Sequence, residues 1–332
     1  MDGASVASLQ SRPRVELGRW PTPLDELALD DGRRVIVKRD DLSGWGRGGA
    51  KARKIEHLIG HLRAGGYDAL ITAAGNITNL AFDLLPALRR QDIEPHLLLM
   101  DEPAAPPALR AEIFAGLEPR AETVGRAWLP AVTRAAALAL DARRRGRRPF
   151  LLLPGASHPA AVIGNACGFL EMAEQRRLAG LPLPSSVFVT AATGTTVAGF
   201  LLAEHALRAA GAPPMRIIGV QVYPGAIRAR TRALLRWTER FLGWRDRVPA
   251  ERIEIETQWL HGGFGAYPPE LVRLCADLHH RTGLLLDPIF GGKTWAALDT
   301  LATRDDSRPP LYWHCGYTPE WEKLGAHLRR AA

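Results

Sequence analysis

The chain alternates between short apolar runs and longer stretches in which apolar residues recur every three or four positions. Runs such as 69–73 and 187–190 are typical of buried strands, and stretches such as 52–63 and 197–210 have the spacing of amphipathic helices. Regular alternation of the two predicts a parallel α/β architecture. No internal repeat or low-complexity segment interrupts the pattern.

The pattern assigns most of the chain to helices and strands. Strands are predicted at 35–38, 69–73, 96–100, 150–153, 187–190, 216–222, 284–286 and 311–314. Helices are predicted at 52–63, 78–90, 109–117, 131–144, 161–178, 197–210, 269–282 and 293–302, with a further helical region that ends at 242.

Composition narrows the class of protein. The 332 residues, 46% of them hydrophobic, are enough to bury one large core or two linked ones. Because no apolar run approaches ~18 residues, we expect no membrane-spanning helix and no membrane partner. Cys167, Cys275 and Cys315 are scattered, which argues against a disulfide framework and against a zinc site. We therefore expect a cytoplasmic protein without a metal.

The net charge of +8 has little functional meaning, because the basic residues are spread over most predicted helices. The dense basic run is 143–148, and no aromatic residues interleave with it. Since nucleic-acid sites combine such runs with recognisable motifs, we expect no nucleic-acid partner.

Lysine is rare in this chain and therefore informative. Only five of the 43 basic residues are lysines, and Lys38, Lys51 and Lys54 fall in one dense segment. An arginine stays charged, whereas a desolvated lysine can lose its proton and form a Schiff base. The alternative for any one of them is a lysine at a helix start that faces solvent.

The segment 38–56, KRDDLSGWGRGGAKARKIE, resembles the lysine-bearing segment of the D-cysteine desulfhydrase and 1-aminocyclopropane-1-carboxylate (ACC) deaminase family. In that family a lysine after Gly-Gly-Asn carries pyridoxal 5′-phosphate (PLP). Lys51 aligns with it, although Ala50 replaces the asparagine. Residues 17–24, LGRWPTPL, are also similar to a family segment, and further motifs extend the resemblance over nearly the whole chain.

The resemblance implies the α/β fold of fold-type-II PLP enzymes (tryptophan synthase β-like), with two three-layer α/β/α domains and mostly parallel sheets. We expect a large cofactor-binding domain from residues 1–50 and 160–332 and a small domain from 51–159. The active site would lie in the cleft between them. A homodimer is usual for the family, so we expect one here.

A strand followed by AATGTTVAG at 191–199 predicts an anion site. Gly194 lets the backbone approach a phosphate, and the amides and dipole of a helix start favour an anion. A plain strand-to-helix turn with a threonine cap is the alternative. The segment also resembles the family's phosphate loop, which implies that Thr193, Gly194, Thr195 and Thr196 bind the cofactor phosphate.

The segment 72–80, TAAGNITNL, is similar to a second family segment that contacts the cofactor. The resemblance implies that Asn79 binds the phenolic oxygen of the cofactor. It also implies that Thr78 binds substrate or relays a proton, while Asn76 and Ile77 line the substrate pocket. Asn76 and Thr78 are also good helix caps, and that structural role is the alternative.

Two positions in the C-terminal third lack a hydroxyl that the family has. Phe264 lies between two glycines and Phe290 follows Asp-Pro-Ile, in each case where the family has a tyrosine implicated in ring opening or proton transfer. Phenylalanine keeps the ring and removes the ionisable hydroxyl, so strict ACC deaminase chemistry is disfavoured. Both residues are expected in the substrate pocket.

The segment WHCGY at 313–317 is similar to a family motif in which a threonine lies near the pyridine nitrogen of the cofactor. Cys315 would take that place. A neutral thiol cannot hold the nitrogen protonated as a carboxylate would, and a weaker electron sink suits β-elimination or β-replacement better than transamination or racemisation. A buried free cysteine with only a packing role is the alternative.

The sequence therefore predicts a PLP-dependent enzyme in which Lys51 holds the cofactor as a Schiff base and removes the α-proton of a small amino acid. β-Elimination would give a keto acid and ammonia, as in a D-cysteine desulfhydrase-like lyase. One alternative is a β-replacement synthase of specialised metabolism. Another is a catalytically inactive PLP-binding protein, because departures at Ala50 and Tyr317 add to the two phenylalanines. A third alternative is a nucleotide-binding α/β protein that uses the 193–196 loop, but this loop has neither a GxGxxG fingerprint nor a Walker lysine.

Overall fold

The computed structural model describes residues 3–75, 79–100, 120–125, 128–303, 307–318 and 321. The described strands are β1 (Leu24–Ala28), β2 (Arg34–Lys38), β3 (Ala69–Gly75), β4 (Glu94–Met100), β5 (Arg120–Thr123), β6 (Pro149–Leu152), β7 (Ser186–Ala191), β8 (Arg216–Gln221), β9 (Glu254–Glu256) and β10 (Leu311–Trp313). The described helices are α1 (Gly3–Gln10), α2 (Ala50–Ala64), α3 (Asn79–Arg89), α4 (Trp128–Arg144), α5 (Pro159–Leu178), α6 (Thr195–Ala209), α7 (Ile227–Leu242), α8 (Pro269–Thr282) and α9 (Gly291–Leu301).

Six of these strands form one sheet in the order β1-β2-β10-β7-β8-β9. The β1-β2 pair is antiparallel and the other pairs are parallel. Phe188 and Val189, adjacent on β7, point to opposite faces and enter different cores. Helices α5 and α6 cover the Val189 face, while α8 and α9 cover the Phe188 face. This part of the chain therefore has three layers.

The other four strands form a fully parallel sheet in the order β5-β4-β3-β6. On one face, Leu70 of β3 packs with Ile55 of α2 and Leu84 of α3. On the opposite face, Ile71 packs with Leu138 of α4. The α/β class with mostly parallel sheets is thus as the sequence predicts, whereas the division into domains of residues 1–50 plus 160–332 and 51–159 stays a prediction.

A buried ionic cluster fixes the start of α2 between the two sheets. Arg53 donates to the two carboxylate oxygens of Asp40 at 2.9 and 2.8 Å, and to Glu171 of α5 at 2.9 Å. Lys38, at the end of β2, donates to the same Glu171 at 2.7 Å. Because buried charges require partners, these contacts tie β2, α2 and α5 together.

The structure corrects some of the predicted elements. Residues 284–286 do not form a strand, because the carbonyl of Leu285 accepts a hydrogen bond from the ring of His314 at 2.9 Å instead of pairing with a neighbouring strand. The sequence pattern also missed α1, β1, β5 and β9, and β1 and β9 lack the fully buried residues that make a strand visible. The predicted helix at 109–117 lies outside the described residues. Within the described ranges, no helix combines the length and apolarity needed to cross a membrane.

Candidate active site

A glycine turn places Lys51 beside the end of β10. Gly48 and Gly49 have φ values of 73° and 96°, which other residues rarely adopt. A Cβ atom on Gly49 would lie 1.9 Å from the carbonyl oxygen of Cys315. Glycine therefore lets the first turn of α2, with Lys51 as its second residue, approach Cys315.

Lys51 lines a cavity of about 590 Å³ at the carboxyl ends of parallel strands from both sheets. The lining includes residues at or just after the ends of β3, β4, β7, β8 and β10: Gly75, Met100, Ala192, Tyr223 and Cys315. Open α/β sheets bind their ligands at this edge, and the cavity volume is typical of small-molecule sites. The cavity is therefore the candidate active site.

The predicted phosphate loop lines this cavity at the start of α6. Gly194 has a φ of 83°, and a Cβ atom on it would lie 2.3 Å from Oγ1 of Thr231 on α7. The hydroxyls of Thr193 and Thr195 are 3.1 Å apart, and Thr196 follows in the first turn of the helix. Amides at a helix start lack intrahelical partners, so the loop offers an anion several hydrogen-bond donors.

The described lining of the cavity carries cations and no carboxylate. The cations are Lys51, Lys54 and Arg230. Burial, with a smaller contribution from the positive charge of Lys51, lowers the pKa of Lys54 to about 8. This excess of positive charge fits a ligand that bears a phosphate and a carboxylate.

Cys315 lies in the cavity lining as a neutral thiol. Burial raises the pKa of Cys315 to about 11, and the negative charge of Asp40 acts in the same direction. The structure therefore brings Cys315, Lys51 and the phosphate loop into one cavity. A position of Cys315 at the pyridine nitrogen stays a prediction.

Aromatic side chains form a further part of the lining, the aromatic wall: Tyr223, Phe264, Phe290 and Tyr317. The ring of Phe264 lies 5.3 Å from that of Tyr223 and 6.0 Å from that of Phe290, measured between centroids. The two phenylalanines predicted for the substrate pocket thus lie together beside the cavity.

The remaining predicted residues fall at or beyond the edge of the described structure. Asn76, Ile77 and Thr78 lie outside the described residues, and Asn79 is the first residue of α3. Gly75 and Leu80, which flank this segment, both line the cavity.

Lys54, Arg230, Tyr223 and Tyr317 are among the lining residues that were not identified as site residues from the sequence. Lys54 follows Lys51 by three positions, a spacing that puts both on one helix face, so it could have been found. Arg230 and Tyr223 lie in segments without a recognisable motif, and Tyr317 ends the WHCGY segment at a position where the resemblance assigns it no role. Only the fold reveals that these three reach the cavity.

The groups in the cavity fit PLP. The phosphate loop and Lys54 suit its phosphate, Lys51 supplies a primary amine, and Cys315 supplies a neutral group for the ring. No described lining residue is a carboxylate that would repel the phosphate. The geometry therefore supports the cofactor that the sequence predicts.

Comparison of the sequence with known proteins indicates the same family. Residues 15–316 match the family model for pyridoxal-phosphate-dependent enzymes. A provisionally named ACC deaminase of Pyrococcus abyssi is 30% identical over 95% of this chain and 94% of its own length. The nocardicin C-9′ epimerase of Nocardia uniformis subsp. tsuyamanensis is 34% identical over 93% of this chain and 94% of its own. The D-cysteine desulfhydrase of Salmonella paratyphi C is 28% identical over 92% of this chain and 94% of its own length.

A solved structure extends the similarity to three dimensions. The crystal structure of an ACC deaminase homologue superposes with a TM-score of 0.81 at 26% identity, over 99% of this chain and 100% of that one. The predicted family, fold type and cofactor are thereby confirmed. The chain belongs to the family of pyridoxal-phosphate-dependent enzymes.

Proposed function

We propose that this enzyme removes the α-proton of a small amino acid and expels its β-substituent, giving a keto acid and ammonia as a D-cysteine desulfhydrase-like lyase does. The observation that carries this proposal is the shared cavity of Lys51, the Thr193–Thr196 loop and the neutral thiol of Cys315. Relatives named as an ACC deaminase and a D-cysteine desulfhydrase match nearly the full chain and support it.

When bound, PLP supplies an electron sink for the charge that develops at the α-carbon of the substrate. Thr193, Gly194, Thr195 and Thr196 would hold its phosphate by backbone amides and hydroxyls, with Lys54 as an added charge. Lys51 would carry the cofactor and then act as the base at the α-carbon. 

Four residues before and at the start of α3 would also contact the cofactor or the substrate. Asn79 would bind the phenolic oxygen of the cofactor, and Thr78 would bind the substrate carboxylate or relay a proton. Asn76 and Ile77 would line the substrate side of the pocket. These four roles rest on the sequence resemblance.

Cys315 favours elimination over reactions that need a stronger electron sink. With a pKa of about 11 the thiol stays neutral, and unlike a carboxylate it cannot hold a pyridine nitrogen protonated. The charge at the α-carbon is then better relieved by expelling a β-substituent. β-Replacement remains the alternative, since Phe264 and Phe290 make the pocket drier and so disfavour attack by water.

Epimerisation is a second candidate, and one observation favours it. The nocardicin C-9′ epimerase is 34% identical over 93% of this chain, a higher identity than that of the named deaminase and desulfhydrase. Epimerisation starts with the same removal of the α-proton by a base. It differs in returning a proton to the opposite face of the α-carbon.

Proton NMR in D₂O, combined with chiral chromatography of the recovered amino acid, distinguishes these reactions. PLP-loaded protein is incubated in turn with D-cysteine, L-cysteine, ACC and O-acetylserine, and with an added thiol in a parallel sample. Elimination predicts a keto acid and ammonia from one enantiomer. Epimerisation predicts intact substrate of inverted configuration with deuterium at the α-carbon, and replacement predicts a thioether with the added thiol. Absence of all three outcomes in protein that retains PLP contradicts an amino-acid enzyme and leaves the inactive PLP-binding protein.

We also propose that the enzyme is a homodimer in the cytoplasm. A homodimer is implied by the family resemblance, and light scattering on the purified chain tests it directly. The three free cysteines, Cys167, Cys275 and Cys315, suit a reducing compartment such as the cytoplasm.

A further inference from the structure

The aromatic wall has phenylalanine at two positions where the resemblance implies a phenol, and it carries phenols at two other positions. Phe264 and Phe290 have no proton to give, whereas Tyr223 and Tyr317 line the same cavity and each carries a hydroxyl. Expulsion of most β-substituents requires a proton donor at the departing atom. The chain must therefore supply that proton from another position if it catalyses elimination.

The backbone around Tyr317 is fixed to the same wall by one carboxylate. Asp287 accepts the N–H of Phe290 at 2.7 Å with Oδ1 and the N–H of Thr318 at 3.2 Å with Oδ2. On the other side of Tyr317, the N–H of Gly316 donates to Nδ1 of His314 at 3.2 Å. The Tyr317 segment and the Phe290 segment are thus held together through Asp287.

The phenol of Tyr317 is oriented by a side chain outside the cavity lining. Nε1 of Trp321 donates to the Tyr317 hydroxyl oxygen at 3.1 Å. Trp321 itself packs in one cluster with Phe264, Phe290 and Tyr267 around Ile289. A donor to the phenol oxygen stabilises the negative charge left when the phenol gives up its proton.

Other groups in the described lining are less suited to this role. Lys51 is committed to the cofactor and the α-carbon, and the guanidinium of Arg230 does not lose its proton. Cys315 belongs to the ring side of the site in the assignment above. Tyr223 has a phenol as well, with its ring 5.3 Å from that of Phe264 between centroids, and Tyr223→Phe is therefore tested beside Tyr317→Phe.

We infer that Tyr317 is the acid that protonates the departing β-substituent, taking over from phenols at positions 264 and 290. This inference rests on the proposed elimination. The Cα–H bond breaks and gives its proton to Lys51, and its electron pair forms the Cα=Cβ bond. The Cβ–X bond breaks, its electron pair leaves with X, and the Tyr317 O–H proton forms X–H. The Tyr317 oxygen regains a proton from solvent, and Lys51 returns one to solvent.

A leaving-group series tests this role. The substrates are cysteine and 3-chloroalanine, in the enantiomer that wild type accepts, because chloride departs without a proton and sulfide benefits from one. In Tyr317→Phe, keto acid formation from cysteine should fall by about 10²-fold, the lower end of general acid catalysis, and that from 3-chloroalanine by less than tenfold. Tyr267→Phe is the matched control, since it removes a phenol from the same cluster outside the cavity lining.

Readouts other than turnover separate chemistry from folding. PLP affinity by fluorescence and the visible spectrum of the bound cofactor should be unchanged in Tyr317→Phe. Phe290→Tyr combined with Tyr317→Phe should recover part of the cysteine activity. If Tyr317→Phe does not fold, Trp321→Phe serves instead, and its cysteine rate should fall more than its 3-chloroalanine rate.

The outcomes separate this inference from the proposed function. Equal losses on both substrates, or a selective loss in Tyr223→Phe instead, would overturn the role of Tyr317 and leave elimination intact. If PLP-loaded wild type forms no keto acid from either enantiomer of 3-chloroalanine, the proposed elimination fails and the inference fails with it.

Discussion

The phosphate loop and the aromatic wall line one cavity but depend on the sequence in different ways. The loop, Thr193–Thr196, works through backbone geometry at a helix start, and its sequence is similar to the family motif. The aromatic wall works through side-chain chemistry, and it lacks the family's hydroxyls at Phe264 and Phe290. From this difference we propose that cofactor binding is kept while the groups acting on the substrate are rearranged. Substitutions in the loop should therefore change cofactor binding, and substitutions in the wall should change the reaction of the substrate.

Lys51→Ala should have the largest effect. Loss of the base alone should lower keto acid formation by roughly 10²–10⁴-fold. The phosphate loop should still retain PLP without the covalent bond, which phosphate analysis of the dialysed protein measures. If PLP is lost completely as well, the loop does not hold the cofactor without the covalent bond. That result would contradict the role of the loop as the cofactor-binding region.

Gly194→Ala should weaken PLP binding without touching the aromatic wall. The positive φ of 83° costs a non-glycine residue about 1–2 kcal/mol. The new Cβ atom would also lie 2.3 Å from Oγ1 of Thr231. We expect PLP affinity to fall by more than tenfold, since about 1.4 kcal/mol corresponds to a factor of ten.

Gly211→Ala is the matched control for this change. Its φ is 91°, but no atom lies within 4 Å of the new Cβ, and Gly211 is not in the cavity lining. Melting temperature should fall in both variants, and PLP affinity only in Gly194→Ala. Equal PLP affinities would show that the loop does not contact the phosphate.

Lys54→Met should weaken PLP binding by a smaller factor. A hydrogen bond to a charged group contributes about 1.5–3 kcal/mol, roughly ten- to hundredfold in affinity. Lys293→Met is the control, because burial lowers the pKa of Lys293 to about 8 as well, yet its amine donates to the Leu260 carbonyl away from the cavity lining. A similar loss of affinity in both variants would contradict a role for Lys54 at the phosphate.

The pH dependence of PLP affinity should follow from the Lys54 pKa of about 8. Only the protonated amine attracts the phosphate, so PLP affinity of the wild type should fall as pH rises through about 8, and Lys54→Met should lack this decrease. Because the folded pKa of Lys54 lies below the ordinary lysine value, the cost of burying the charge is present at neutral pH and disappears above the unfolded pKa. Cofactor-free Lys54→Met should therefore melt at a higher temperature than wild type at pH 7.

Cys315→Ser should have the smallest effect. A hydroxyl is also neutral, so the electron sink is unchanged, and we expect keto acid formation within about tenfold of wild type. Loss of activity in Cys315→Ser that retains PLP would mean that the thiol takes part in the reaction itself.

The sequence predicted the parts of the molecule that depend on local patterns. Apolar periodicity was sufficient for β3, β7 and α6, and motif similarity singled out Lys51 and residues 193–196, which line one cavity. Apolar periodicity gave the wrong prediction for residues 284–286. Their apolar run is typical of a strand, but the Leu285 carbonyl accepts a hydrogen bond from the His314 side chain. Whether an extended run finds a neighbouring strand depends on contacts that are distant in the sequence.

The aromatic wall could be only half predicted for the same reason. Phe264 and Phe290 were found because they lie in motifs. The sequence singled out Tyr317 only as a tyrosine at a position where the family motif has a glycine. Its place in the cavity depends on Asp287, which holds Thr318 beside the Phe290 segment. Arg230 reaches the cavity from α7, a helix without any recognisable motif.

The central claim is that Lys51 carries the cofactor, and Lys54 and Lys293 are genuine competitors because their pKa values of about 8 make them better nucleophiles than an ordinary lysine. Borohydride reduction of the PLP-loaded protein, followed by peptide mass spectrometry, locates the modified lysine. The account predicts one pyridoxyl group, on the peptide containing Lys51, and none in Lys51→Ala. A pyridoxyl group on Lys54 or Lys293 of the wild type would contradict it.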